Sequence, residues 1–184
     1  AADRRVVDGE GTSSAAVVTP RVALVTGASR FLGGYLVTRL AQNPAVERVI
    51  AVDSRSPTKD MLRRMGRAEF VRADIRNPMI GKVIRNAGVD TVVHASTLSR
   101  SPKSGSRAAM KDMNVIGAMQ LFAACQKAGT VRKVVLRSTT SVYGSSAKDP
   151  AKFTEEMSAR RPPGGAYARD SIEIEGHTVA GSSD

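Results

Sequence analysis

Five short runs rich in Val and Ile punctuate the chain: RVALVTG from Arg21, RVIAVD from Arg48, EFVRAD from Glu69, DTVVHAS from Asp90 and KVVLRST from Lys133. Between them, apolar residues recur at helical spacing in FLGGYLVTRLAQN, TKDMLRRMG, NPMIGKVIRNAG and SRAAMKDMNVIGAMQLFAACQKAG. Near-continuous apolar strands alternating with helices predict a parallel sheet covered on both faces, a doubly wound α/β fold. Right-handed crossovers then give the expected strand order 3-2-1-4-5. Gly88 and Gly129 fall where helices should stop, and Asn77-Pro78 reads as an N-cap followed by the first helical residue. The stretch from Ser145 to Gly165 is polar and rich in Pro and Gly, a loop, and AYARDSIEIEGHTV after it reads as a last helix. Residues 1–19 are rich in small and polar side chains and are expected to be a disordered tail, leaving 20–184 as the folded domain.

A length of 184 residues suits one domain with a real core. No apolar run approaches a membrane span, and the N-terminal stretch has no signal-type apolar region. The single Cys125 excludes an internal disulfide and reads as a small buried residue in a reducing, cytoplasmic setting. The two histidines, His94 and His177, are too far apart for a metal site, so no metal is expected. His94 at a strand end reads as a satisfied, partly buried side chain rather than a base. The net charge of +11 is spread along the chain without a basic run of five, and Phe and Tyr are few. Nucleic-acid binding is therefore disfavoured against a basic surface around an anionic cofactor and substrate.

The stretch TGASRFLGG, Thr26 to Gly34, joins the first strand to the first helix. A strand, a glycine turn and a helix N-terminus form a site for a dinucleotide pyrophosphate. Gly27 turns the chain and Gly33 lets the helix pack on the strand, with Arg30, Phe31 and Leu32 lining the turn between them. The second strand ends in Asp53, 26 residues after Gly27, where a carboxylate accepts hydrogen bonds from a ribose and repels a 2′-phosphate. This favours NAD over NADP, although Arg30 and Arg55 are available to a 2′-phosphate.

Taken together, these motifs resemble those of the extended short-chain dehydrogenases/reductases, in the NAD-dependent nucleoside-diphosphate-sugar epimerase/dehydratase family. The resemblance runs from about Val22 to Gly176. TGASRFLGGYL resembles the family's TGxxGFxG turn. RADIRNP resembles its third-strand end, which places Asp74 and Ile75 at the adenine, and TVVHAS resembles the fourth strand, which places Ala95 and Ser96 under the nicotinamide half. NVIGAMQLF puts Asn114 at the family's buried asparagine. RSTTSVYG resembles SSxxVYG, which makes Thr139 the catalytic Ser/Thr, while YARDS stands where the family has YxxxK, with Tyr167 as its catalytic tyrosine. The implied fold is a Rossmann domain, and the implied chemistry is transient oxidation of a sugar hydroxyl of a nucleotide sugar.

Three departures accompany the resemblance. Arg30 replaces the middle glycine of the turn and is expected to crowd it if φ there must be positive. Ser171 replaces the lysine that shares a helix face with the tyrosine, holds the nicotinamide ribose and favours the phenolate; serine supplies a hydrogen bond but no charge. Arg169 points to the other side of the helix. Lastly, the family's sugar-nucleotide-binding part follows this helix, so the chain reads as a fragment or truncated form with an apolar patch exposed where the second part docks. The rival expectation is a catalytically weakened dinucleotide-binding scaffold, sensor or accessory subunit. The long helix over 106–127, with Met110, Met113 and Met119, is the expected homodimer face by resemblance.

Overall fold

Parallel strands buried on both faces need apolar side chains in both directions, and the first strand shows why the VALVT run serves. In the computed structural model, β1 (Val22–Thr26) is buried throughout. The structure describes residues 19–100, 106–144, 147–150, 152–159 and 163–180. The expected disordered tail lies outside the described residues except for Thr19. β1 is followed by α1 (Phe31–Gln42), β2 (Arg48–Asp53), α2 (Lys59–Met65), β3 (Glu69–Arg72), α3 (Met79–Ala87) and β4 (Thr91–His94). Then come α4 (Arg107–Lys111), a π-helical turn over Asp112–Ile116, α5 (Gly117–Ala128), β5 (Lys133–Leu136), a 3₁₀ turn over Thr140–Tyr143 and α6 (Ala166–Ala180). All four strand pairings are parallel and the order is β3-β2-β1-β4-β5, as expected.

Alternate residues of β1 feed two cores. Val22 and Leu24 join Ile80, Ile84, Leu121 and Cys125 under α3 and α5. Ala23 and Val25 join Val37, Val49 and Met65 under α1 and α2. A third cluster, Val115, Ala118 and Ile174 with Phe122 and Leu136 against it, seats α6 beside α5. Burial pushes the Cys125 thiol up to about 11, so it is a core side chain with little thiolate at neutral pH.

Gly88 and Gly129 cap α3 and α5 at positive φ, as expected. Asn77 Oδ1 accepts from the Met79 N–H, so Asn77 caps α3 although the helix begins one residue later than expected. The long helix expected over 106–127 is instead interrupted by the π turn, whose wider winding brings both Asn114 and Val115 inward. β5 is one edge of the sheet and β3 the other, and Val134 and Val135 are 37% and 41% exposed on β5.

Asp90 ties the start of β1 to the start of β4. Its Oδ2 accepts from the N–H groups of Arg21 and Val22, and its Oδ1 accepts from the Thr91 hydroxyl. Burial alone would raise its pKa, but the Val22, Thr91 and Arg21 hydrogen bonds and the nearby Arg132 charge outweigh this and hold the carboxyl below its ordinary value. Its contribution is therefore present above the unfolded value of about 3.9 and fades as pH falls through the lower folded value. Asp90→Ala leaves two backbone donors unpaired and should cost about 2 kcal/mol in urea unfolding at pH 7, with the difference from wild type shrinking below about pH 4. Equal stabilities at pH 7 would contradict this role.

Candidate cofactor and catalytic site

The turn after β1 is built by close approach. Gly27 sits at φ +73, and a Cβ there would lie 3.0 Å from the Ser96 Cα; a Cβ on Gly33 would lie 2.1 Å from the Gly27 carbonyl oxygen. Neither position tolerates a side chain without backbone movement. Arg30 has no such constraint. Its φ of −111 and ψ of 164 are ordinary extended backbone, so the missing glycine does not strain the turn.

The Arg30 N–H bonds back to the Gly27 carbonyl, while the N–H groups of Phe31, Leu32 and Gly33 open α1 with no intrahelical acceptor. Arg30 supplies no side-chain cap and the first turn holds no acidic residue. An uncapped helix N-terminus beside a half-buried guanidinium fits a diphosphate.

Gly27, Arg30, Asp53, Asp74, Ile75 and Ser96 line one cleft at the carboxyl ends of β1, β2 and β4, with Met113 at its wall. Asp53 is buried and fixed, its Oδ2 accepting from the Ser29 N–H and its Oδ1 from the Arg55 N–H. Ser29 in turn donates its hydroxyl to the Arg55 carbonyl. Asp74 is engaged by Arg76, whose guanidinium also reaches Asp112, and the Arg76 hydrogen bonds hold the Asp74 carboxyl below its ordinary value against burial. Ile75 is buried against Gly117 at the start of α5.

Ala95 is buried where the chain leaves β4, and Ser96 accepts from the Thr26 hydroxyl. His94 is 1% exposed, more deeply buried than expected, and its Nδ1 lies 2.8 Å from Thr26 Oγ1 while Nε2 has no partner. Burial pushes it down to about 4, which rules against a base near neutral pH.

Of the predicted catalytic residues, Thr139 follows β5 while Tyr167 and Ser171 lie on α6. Thr139 begins the 3₁₀ turn, its Oγ1 accepting from the Ser141 N–H, and that turn packs against α6. Tyr167 is half-buried near the start of α6. Asn114 does not face the cleft: its Oδ1 accepts from the Leu98 N–H at 2.7 Å and its Nδ2 donates to the Leu98 carbonyl and to Asp170. Asp170, fully buried, also takes both terminal nitrogens of Arg107. This clamp joins α4, the π turn, the segment after β4 and α6.

Ser171 does not take up the lysine's place, because its hydroxyl donates to the Tyr167 backbone carbonyl at 2.9 Å, the usual escape of a helical serine. The cation at the Tyr167 hydroxyl comes from elsewhere in the chain, since Arg137 Nη2 donates to Tyr167 Oη at 3.0 Å.

The NAD dependent epimerase/dehydratase family matches residues 23–180. The chain belongs to that family. It is 67% identical over 161 residues to an uncharacterised protein of Mycobacterium tuberculosis, covering 88% of this chain and 43% of the relative. It is 28% identical over 135 residues to a UDP-glucose 4-epimerase of Klebsiella pneumoniae, covering 69% and 95%.

Among solved structures, it superposes on a UDP-glucose-4-epimerase of Stenotrophomonas maltophila with bound NAD and formylated UDP-arabinopyranose. The TM-score is 0.76 at 26% identity, over 89% of this chain and 49% of that one. A dTDP-glucose 4,6-dehydratase of Streptomyces venezuelae with NAD and TYD bound gives 0.74 at 29% identity, over 86% and 51%. The chain thus spans less than half the length of the mycobacterial relatives it matches.

Sequence reasoning missed Arg137, Asp170, Arg107 and Ser29. A charged residue closing the apolar run KVVLR was the available signal for Arg137; burial of Asp170 had none. Among the described residues, no helix is long and apolar enough to cross a membrane and no cluster of three metal-type ligands occurs.

The buried His94 generates a pH dependence. Its folded pKa lies below the unfolded 6.5, so the unfolded chain binds the proton first. Its neutral-state stability is complete above about pH 6.5 and is lost progressively as pH falls towards 4, by about 3 kcal/mol in all. His94→Asn should remove this limb from urea unfolding measured between those values, leaving the steeper carboxylate losses below pH 4. A wild-type curve flat from pH 6.5 to 4.5 would contradict it.

Proposed function

We propose that the chain is the dinucleotide-binding part of a nucleoside-diphosphate-sugar epimerase or dehydratase that oxidises a sugar hydroxyl transiently with tightly held NAD, in the cytoplasm. The observation that carries this reading is the turn after β1, where Gly27 and Gly33 make the close contacts and Arg30 adopts a backbone that needs no glycine. The NAD-bound relatives of the same fold support it.

In this reading the N–H groups of Phe31, Leu32 and Gly33, with the Arg30 side chain, hold the diphosphate, Asp53 holds the adenosine ribose, and Asp74 and Ile75 flank the adenine. Asp53 favours NAD over NADP because a fixed carboxylate repels a 2′-phosphate. Bound NAD supplies a reversible hydride acceptor. Thr139 orients the reacting hydroxyl, and Tyr167 Oη takes its proton and later returns it. Ile116 and Met119, 43% and 40% exposed on the α4–α5 segment, support a homodimer through that face.

A second reading, a dinucleotide-binding scaffold or accessory subunit with weakened catalysis, is favoured by Ser171, which spends its hydroxyl on the helix backbone.

Titration calorimetry of the 184-residue chain should show NAD(H) binding tighter than NADP(H), and Asp53→Ala should weaken NAD by about tenfold or more. Absence of NAD(H) binding at millimolar ligand would overturn both readings, and an NADP(H) preference would reassign Arg30 and Arg55 to a 2′-phosphate. Turnover of UDP-glucose should be negligible for residues 1–184 alone. A chain extended to the length of the mycobacterial relatives should turn over a nucleotide sugar and lose that activity in Tyr167→Phe. NAD binding without any turnover by the extended chain would select the scaffold reading.

A further inference from the structure

Tyr167 lacks a cation one turn further along its own helix, yet its hydroxyl is not without one. Arg137 is the first residue after β5, and its N–H donates to the His94 carbonyl, extending the ladder one step past the strand. From there its side chain crosses to α6. Nη2 donates to Tyr167 Oη at 3.0 Å, and Nη1 lies 3.5 Å from the Thr97 carbonyl, on the segment that follows Ser96 out of the cofactor cleft. We propose that Arg137 is the electrostatic partner of Tyr167, a guanidinium delivered from the sheet that stabilises the phenolate in the place left by Ser171.

Three observations carry this. The guanidinium stays charged at any working pH, and its planar fork can hold a carbonyl and a phenol oxygen together, which an ammonium cannot do with the same rigidity. Among the described residues, moreover, no carboxylate forms an ion pair with Arg137. The acids on the surrounding elements are engaged elsewhere: Asp170 with Arg107 and Asn114, Glu173 with Lys111, Asp112 with Arg76, and Glu175 with the Ser138 hydroxyl. Finally, among the described residues the remaining groups near α6 offer no alternative. Arg169 and Lys127 are exposed, Tyr143 stacks on Phe153, and His94 is neutral. An opposite charge at hydrogen-bonding distance favours the ionised form of an acid by about tenfold or more.

Arg137 acts through Tyr167 and is a positioning residue, not a reacting group. The inference rests on the reading of Tyr167 as the acid/base, but the pairing can be tested without turnover. Tetranitromethane nitrates phenolates, and the products at Tyr35, Tyr143 and Tyr167 can be separated by peptide mass spectrometry. In the full 184-residue chain near pH 8, Arg137→Gln should slow nitration of Tyr167 about tenfold relative to the exposed Tyr35, and Arg137→Lys should restore most of the rate.

A merely covering role predicts the opposite sign, because removing the guanidinium exposes the ring. Unchanged or faster nitration of Tyr167 in a folded Arg137→Gln variant, as judged by circular dichroism, would overturn the proposal. A second variant stands if that one does not fold: Arg137→Met should likewise slow nitration of Tyr167 about tenfold relative to Tyr35, and an unchanged or faster rate would overturn the proposal equally. If nitration behaves as expected while NAD(H) does not bind, the pairing stands and the redox reading falls.

Discussion

The close approach of α1 to the end of β1 is the constraint on which the cofactor end of the molecule depends. With only hydrogen at Gly33, the helix lies so near the Gly27 carbonyl that a methyl group would occupy the same space. That contact sets the direction of α1, aims its unpaired N–H groups across the sheet end and leaves room for Gly27 to lie against Ser96. Asp53 is then fixed from two sides by the Ser29 and Arg55 N–H groups, so the carboxylate is oriented before any ligand arrives. Arg30 is compatible with all of this because the constraint falls on positions 27 and 33 and on the backbone between them, not on a side chain at 30.

The second half of the site depends on a different kind of interaction. Asp170 is a fully buried carboxylate, and burial of a charge is tolerable only with full pairing. Arg107 and Asn114 provide it. Asn114 reaches Asp170 and Leu98 together because the π turn widens the helix where it passes, which places a polar side chain inside without removing Val115 from the apolar cluster with Ile174. The clamp fixes α6 against the segment after β4, and it is this placement, three residues from Asp170, that brings Tyr167 within reach of a residue at the end of β5.

The fold was legible in the sequence because its cause is local and repeated. Strands such as VALVT and RVIAV are apolar on both faces, the helices between them carry glycine stops, and right-handed crossovers leave few orders for five parallel strands. The meeting of Gly27 and Asp53 in one cleft was legible for a similar reason: they sit at the ends of β1 and β2, which the topology must bring together, with Gly33 in the first turn of α1 between them. The catalytic half was less so. The resemblance to the family's YxxxK pattern marked Ser171 as standing where a lysine is usual, but periodicity cannot show that the serine hydroxyl turns back to its own helix, nor that a guanidinium 30 residues earlier arrives at the phenol. The π turn was equally hidden, since DMNVI has no composition that an ordinary helix would refuse, and the bond from Asn114 within it to Asp170 joins residues 56 apart in sequence.

The contacts that position the cofactor cleft and Tyr167 all lie within the described residues, from the turn after β1 to the first half of α6. The cleft lined by Gly27, Arg30 and Asp53 and the Arg137–Tyr167 contact are therefore both built within this part of the family's architecture. β5 presents unpaired backbone with Val134 and Val135 exposed, an arrangement that solvent-facing edges ordinarily blunt with charge. Arg137 follows directly on that strand. Whatever pairs with β5 thus bears on the register of the residue that donates to the Tyr167 hydroxyl.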